Sequence, residues 1–181
     1  MAEHLLVTIG KARFSDSERH LIPFVNDIEQ DKFLNDTMAE VFYSAIQDIK
    51  VKYNADASRI WSNNPSSAKV VYEFLQFKGS GKKIATMAAN ILARQFKIPF
   101  SDYYSIDISP DVHILRVMRR TGLVDSNADL DSIIYKAREL NPKFPGIIDF
   151  SCWEIGRTWC RPNNPNCSEC IIRDDCKKVI F

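Results

Sequence analysis

Cysteine residues are concentrated near the end of this sequence. Four of the five cysteines, Cys160, Cys167, Cys170 and Cys176, fall within seventeen residues at the spacing Cys-x6-Cys-x2-Cys-x5-Cys. Thiolates are soft ligands, and four of them can hold a 4Fe–4S cluster or a tetrahedral zinc ion. Structural zinc ribbons use two close Cys-x2-Cys pairs, whereas this segment has one. The pattern therefore favours a 4Fe–4S cluster, with zinc or free core cysteines as alternatives. Cys152 lies within a helical pattern and is interpreted as a core residue.

A second group of residues suited to chemistry forms a glycine turn between two predicted helices. The sequence there is Phe77-Lys78-Gly79-Ser80-Gly81-Lys82-Lys83. It is not a nucleotide-binding P-loop, because position 76 is Gln where that motif has Gly, and Lys83 stands where it has Ser or Thr. Backbone N–H groups in such a turn, together with the positive end of the following helix, can cradle a phosphate. Gly-x-Gly alone also fits an ordinary turn between helices. However, the stretch from Lys78 to Lys97 holds five basic residues and no acid, and further basic residues follow at Arg116, Arg119 and Arg120. This concentration of charge predicts a surface for phosphate backbones.

The elements that must position these residues are almost all helices. Apolar residues recur at three- and four-residue intervals in most of the chain, and clear strand alternation is absent. Proline is expected in the first turn of two helices, at Pro65 and Pro110. Asp111 would lie in a helix first turn, where the dipole favours a carboxylate. Helices are predicted over residues 37–49, 65–75, 84–96, 109–121, 128–140 and 146–159.

The composition excludes several other classes of protein. Hydrophobic residues make up 45% of the 181 residues and charged residues 26%, with a net charge of +1, which are ordinary values for a globular protein. No apolar run is long enough to span a membrane, and the N-terminal sequence has no secretory pattern. An odd number of cysteines without an export signal argues against a disulfide framework. We therefore expect a cytoplasmic protein, or a nuclear one if the source is eukaryotic.

The cysteine segment GRTWCRPNNPNCSECIIRDDC resembles the iron–sulfur loop of endonuclease III-type DNA glycosylases. The glycine turn resembles the helix-hairpin-helix of the same family, and Ser109-Pro110-Asp111-Val112-His113 resembles its Asp-x-His stretch. The resemblance covers the chain from Phe33 to Phe181. It implies an all-α helix-hairpin-helix glycosylase fold with a C-terminal 4Fe–4S cluster loop.

The resemblance also implies roles for individual residues. Lys83 occupies the position of the family's nucleophilic lysine, and Asp111 that of its catalytic aspartate. An amine there can attack the sugar C1′ and form a Schiff base, which allows strand cleavage by β-elimination. His113 is interpreted as a structural residue. The DNA backbone would be bound by the hairpin residues Lys78, Gly79, Ser80, Gly81 and Lys82, and the cluster by Cys160, Cys167, Cys170 and Cys176.

Two departures from the family bear on activity. Only 34 residues precede Asn35, where the family carries roughly sixty, so the N-terminal part of the helical barrel is predicted to be shortened. The loop between Cys160 and Cys167 has one positive charge, whereas the family's loop tends to be basic. We expect a divergent segment over residues 1–34, a helical domain with the hairpin over 35–145, and an iron–sulfur segment over 146–181 that packs with the N-terminal part.

The predicted function is base excision repair by a monomer. A DNA glycosylase with AP-lyase activity would remove damaged, in particular oxidised, bases from duplex DNA through a lysine Schiff base, and would also bind abasic sites. The shortened N-terminal part motivates an alternative, a non-catalytic DNA-binding iron–sulfur protein derived from this family. A zinc-bound helical interaction module is a third hypothesis.

Overall fold

A computed structural model describes residues 36–179 of the chain, and their side chains from residue 40 onward. The predicted N-terminal segment 1–34 lies outside the described residues. Within them there are only helices, turns and loops, which confirms the all-α class. None of the described helices combines the length and apolar character needed to cross a membrane. The helices are α1 (Asp36–Lys52), a 3₁₀ helix (Ala57–Ile60), α2 (Ser67–Leu75), α3 (Lys82–Arg94), α4 (Val112–Thr121), α5 (Leu130–Leu140), a second 3₁₀ helix (Pro145–Ile148) and α6 (Asp149–Thr158).

Two of the helices that begin later than the sequence predicted do so for the same physical reason. The predicted first-turn residues Pro65 and Pro110 both precede their helices, and the residue after each proline is the N-cap. Ser66 Oγ accepts the Lys69 N–H at 3.2 Å. Asp111 Oδ1 accepts the His113 N–H at 2.8 Å in the same way. A side-chain acceptor satisfies a first-turn N–H that has no partner within the helix, and this fixes where the helix starts.

The first three helices share one hydrophobic core. Their inward faces contribute Ile49 from α1, Val70 and Phe74 from α2, and Ala89 and Leu92 from α3. The alanine-rich side of α3 allows α2 and α3 to pack closely on either side of the glycine turn. This packing fixes the direction in which α3 presents its N-terminus, since the turn joins two helices that are both anchored in the core.

A second core lies under the cysteine segment. It is built by α4, α5 and α6 together, and so joins helices from both sides of the predicted boundary at residue 146. The helices α4 and α6 approach closely at Gly156, where an added Cβ would lie 2.8 Å from His113 Cβ. A side chain at residue 156 would therefore push α4 and α6 apart. The buried residues of this core include Ile114, Val117, Met118, Ile133, Ala137, Cys152 and Ile155.

The second 3₁₀ helix ties the two cores together. Asn90 Nδ2 on α3 donates to the Gly146 carbonyl at 2.7 Å. The Gly146 N–H in turn donates to the Ile106 carbonyl at 2.7 Å. A bidentate ion pair between Arg138 of α5 and Asp107, with both nitrogen–oxygen distances at 2.8 Å, holds the same connection. These bonds set α4 and α6 against α3, which is what brings the candidate site residues together.

Candidate functional site

The glycine turn presents an N-terminus of α3 that carries no side-chain cap. Gly81 is the N-cap residue of α3, its neighbouring first turn has no acidic residue, and a Cβ at Gly81 would meet no atom within 4 Å. Gly79 has φ of +76°, a left-handed conformation that glycine adopts at little cost. The first N–H groups of α3 are thus left for an external partner, and the positive end of the helix dipole favours an anion there.

Lys83 and Asp111, separated by 28 residues, meet at the N-terminal ends of α3 and α4. The Lys83 Nζ lies 2.5 Å from Asp111 Oδ2. The lysine side chain is 49% exposed, whereas the aspartate side chain is 12% exposed. The two predicted site residues are therefore brought together at the edge of the hairpin surface, with the ammonium open to solvent and the carboxylate largely enclosed.

Hydrogen bonds keep Asp111 ionised. Partial burial raises the pKa of its carboxyl, but the hydrogen bond from Lys83, the His113 N–H and the nearby charge of Lys83 together lower it below the ordinary value. The two carboxylate oxygens have different partners, because Oδ1 caps α4 and Oδ2 faces Lys83. An aspartate held in this way can stabilise a positive charge beside it, since it stays negative at neutral pH.

The predicted DNA-contacting residues of the turn have different environments. Lys78 forms an ion pair with Glu40 of α1, and both side chains are at least half exposed. Such an exposed pair contributes little stability, so a phosphate can displace the carboxylate at small cost. Lys82 is exposed at the start of α3. Ser80 Oγ is buried and lacks a hydrogen-bond partner among the described residues.

The arginines of α4 do not form the predicted phosphate surface. Arg116 donates through Nε to the Cys160 carbonyl at 2.6 Å and through Nη2 to the Gly156 carbonyl at 2.8 Å. Arg119 donates to the carbonyl of Ala128. Arg120 is buried, with 7% of its surface exposed. The expectation was wrong because helix geometry and packing direct these guanidinium groups inward, to carbonyls that would otherwise lack donors.

All four cysteines of the C-terminal segment line one cavity. Cys160 follows the end of α6, and the cavity wall is completed by apolar side chains of α4, α6 and the segment itself, including Val117, Ile155, Trp159 and Ile172. The four cysteines Cys160, Cys167, Cys170 and Cys176 are partly buried. Cys152 is outside the cavity wall and 7% exposed, and burial raises the pKa of its thiol to about 12. It therefore stays a neutral core thiol, as its position within the helical pattern indicated.

Hydrogen-bond donors around the cavity suit thiolate ligands. Arg120 Nη1 lies 3.7 Å from Cys160 Sγ, and the Lys178 N–H donates to Cys176 Sγ at 3.4 Å. Donors to sulfur stabilise thiolates, and they tune iron–sulfur centres in the same way. Among the described residues, no group of three or more Cys, His, Asp or Glu side chains is arranged to hold a metal ion. The cysteines supply four thiol donors, but the described sulfur positions do not form a metal-ion site.

Sequence reasoning missed two buried charged residues beside these features. Arg120 donates to the carbonyls of Arg161 at 2.6 Å and Pro162 at 2.9 Å, and so holds the loop between the first two cysteines. Asp149, at the start of α6, accepts the Ser109 N–H and the Ser109 hydroxyl, both at 3.0 Å. In the sequence, Asp149 is indistinguishable from an ordinary acidic residue near a helix start, and Arg120 is indistinguishable from a basic residue on a helix surface. No local signal distinguishes them from such residues.

Comparison with known proteins finds a partial similarity. The chain is 30% identical over 105 residues to endonuclease III of Thermotoga maritima. The aligned part is 58% of this chain and 45% of that protein, so the chain matches less than half of the relative's length. No family model matches the chain. This partial similarity and the all-helical fold are both consistent with the resemblance that the sequence motifs indicated.

Proposed function

We propose that this protein is a base excision repair DNA glycosylase with associated AP-lyase activity, acting on damaged, in particular oxidised, bases in duplex DNA. The observation that carries the proposal is the Lys83–Asp111 pair beside the uncapped N-terminus of α3. A lysine amine, a carboxylate and a helix N-terminus without a side-chain cap lie within one short stretch of surface. The partial similarity to an endonuclease III supports the same class of chemistry.

The hairpin residues Lys78–Lys82 would anchor the DNA backbone. The free N–H groups at the start of α3 offer hydrogen bonds to one phosphate, and the absence of acidic residues in that first turn leaves the helix dipole uncompensated. Gly81 allows close approach because no neighbouring atom occupies the space beside its Cα. A phosphate bound there would place the adjacent sugar near Lys83, one residue beyond the anchoring segment.

The chemistry would begin with loss of a proton from Lys83. Its side chain is half exposed, so the proton can pass to solvent water. The neutral amine adds to C1′ while the N-glycosidic bond breaks, and the departing base keeps the electron pair and takes up a proton. A proton then moves from the amine nitrogen to O4′ as the sugar ring opens, which leaves a protonated Schiff base. Asp111, held ionised, stabilises the positive charge that develops at C1′ and on the nitrogen.

We further propose that Cys160, Cys167, Cys170 and Cys176 hold a 4Fe–4S cluster. The shared cavity and its donors to sulfur support this assignment. When bound, the cluster would supply covalent cross-links within the C-terminal segment, and base removal does not require its redox chemistry. Arg120 holds the loop after Cys160 against α4, because its guanidinium donates to the Arg161 carbonyl.

Borohydride trapping on a duplex with one abasic site tests the lyase proposal, because hydride reduces a Schiff base to a stable secondary amine. Wild-type protein should form a covalent complex with DNA, and Lys83→Gln should form none. Lys82→Gln is the matched control, since it removes an adjacent exposed lysine and should lower DNA affinity without abolishing trapping. Equal trapping by wild type and Lys83→Gln would refute the assignment of the nucleophile.

One observation favours a second candidate, a DNA-binding iron–sulfur protein without catalysis. The Lys83 amine is engaged in an ion pair with Asp111, and an amine must be free of such a partner to attack a sugar carbon. If DNA binding leaves this pair intact, the chain would bind abasic DNA without cleaving it. Binding to abasic duplexes with no base release, no nicking and no trapping across a panel of lesions would support this candidate, and turnover on any lesion would exclude it.

A further inference from the structure

We infer that Asp149 is a positioning residue for the Lys83–Asp111 pair, acting through Ser109. The inference rests on the proposed function, since it concerns how Asp111 is held where the reaction would occur. Asp149 begins α6, 38 residues after Asp111 in sequence, and the hydrogen bonds of its carboxylate among the described residues go to Ser109 and not to Lys83 or the hairpin. It acts on the segment that leads into Asp111.

The geometry makes Ser109 the connection. Both polar groups of Ser109 donate to the Asp149 carboxylate, the N–H to Oδ1 and the hydroxyl to Oδ2, at 3.0 Å each. Ser109 and Asp149 are buried, with 3% and 7% of their surfaces exposed. Pro110 follows, and its ring restricts the backbone between Ser109 and Asp111. The two hydrogen bonds from Ser109 to the Asp149 carboxylate therefore restrain the backbone that leads to Asp111, the N-cap of α4.

Asp111 needs such support from its N-terminal side. Its Oδ1 is committed to the His113 N–H, so rotation of the backbone at Asp111 would break either the cap or the contact between Oδ2 and Lys83. The Ser109 anchor opposes that rotation from a rigid element, because α6 is packed along α4. Catalytic groups lose rate steeply when displaced by about 1 Å, so an anchor two residues away affects chemistry without touching the reacting atoms.

The charges around Asp149 indicate that its bonds to Ser109, and not an ion pair, define its role. Arg94 of α3 and Asp111 act on the carboxyl from nearby, with opposite electrostatic effects, and the neutral Cys152 thiol lies on the same helix. Among the described residues, Asp149 forms no ion pair within 4.0 Å. An asparagine at this position can keep both contacts, accepting the Ser109 N–H and donating its amide to the Ser109 oxygen.

The test compares two variants of equal charge. Asp149→Ala removes both bonds, whereas Asp149→Asn keeps them. With protein in excess over an abasic duplex, and at a temperature where circular dichroism shows every variant folded, we expect Asp149→Ala to trap about 10- to 100-fold more slowly than Asp149→Asn. Affinity for a duplex with an uncleavable tetrahydrofuran abasic analogue should differ by less than about threefold. Ser109→Ala keeps the bond from the residue 109 N–H to Asp149 and the charge of Asp149, so its trapping rate should fall between those of the two variants. It replaces Asp149→Ala in the comparison if that variant does not fold.

A second readout needs no DNA. The carboxyl titration of Asp111, followed by ¹³C NMR, should stay below the ordinary range in Asp149→Asn and shift towards it in Asp149→Ala, because the contact with Lys83 is lost. If both variants trap and titrate alike, the positioning role is wrong even where wild type traps efficiently. If wild type traps nothing but the two titrations differ as expected, the proposed function fails and the positioning role stands.

Discussion

Replacing Asp149 by asparagine should make the protein more stable at neutral pH. Burial raises the pKa of the Asp149 carboxyl from 3.8 to about 6, against the opposing effect of its hydrogen bonds from Ser109. The ionised carboxylate is thus less favourable in the folded chain than in the unfolded one. Asparagine has the shape of the neutral carboxyl and can keep both bonds to Ser109, so it should avoid the cost of burying the charge.

The magnitude and its pH dependence follow from linkage. A shift from 3.8 to about 6 corresponds to about 3 kcal/mol, since each pKa unit is worth about 1.36 kcal/mol. Between these values the folded state binds more protons than the unfolded state, so the wild-type protein loses this stability as pH rises through the window. The advantage of Asp149→Asn should be about 3 kcal/mol at pH 7.5 and about 1 kcal/mol at pH 4.5.

Urea unfolding of wild type and Asp149→Asn at both pH values measures this difference. Asp129→Asn is the matched control, because Asp129 is a fully exposed N-cap of α5 whose pKa is lowered by hydrogen bonds from Ser132. It should give no gain at neutral pH and the opposite pH trend. A less stable Asp149→Asn at pH 7.5, or a gain that does not shrink at pH 4.5, would refute the reasoning.

Three further outcomes can be measured directly. Lys83→Gln should lose Schiff-base trapping completely while Lys82→Gln keeps it, as a borohydride assay would show. Cys170→Ser should lower iron and sulfide content together with visible absorption, whereas Cys152→Ser should keep the iron and lose only about 1 kcal/mol of stability in unfolding experiments. Arg120→Met should destabilise the protein by about 2–4 kcal/mol in denaturant titrations, because two carbonyls of the cysteine segment lose their donor; an unchanged midpoint would contradict this.

Local patterns were sufficient to predict most of the described fold. Apolar periodicity identified the helices because each buries one face, as Val117 and Met118 do on α4. Helix starts were less well predicted, since a proline and the capping residue after it are both compatible with a first turn. Pro110 and Asp111 show the difference: the hydrogen bond from the His113 N–H makes Asp111 the N-cap, so both residues precede the helix.

The candidate site was predictable where one element carries the signal. The turn around Gly79 and Gly81 has its own sequence pattern, and a spacing of one helix and one loop is compatible with the contact between Lys83 and Asp111. The environment of Asp149 was not predictable, because a residue near a helix start is exposed or buried according to what packs over it. That depends on the approach of α6 to α4, a tertiary contact with no trace in the local sequence.

The basic residues of α4 were misinterpreted for the same reason, because tertiary packing decides where their side chains point. They bind backbone carbonyls within the protein. At the N-terminus of α4 Asp111 holds Lys83, and about 13 Å further along the helix Arg120 holds the loop after Cys160. The helix is packed on α6, and a shift of the buried Arg120 guanidinium would leave the carbonyls that it binds unpaired. Arg120 and Asp111 therefore attach the cysteine segment and Lys83 to opposite ends of the same helix, α4.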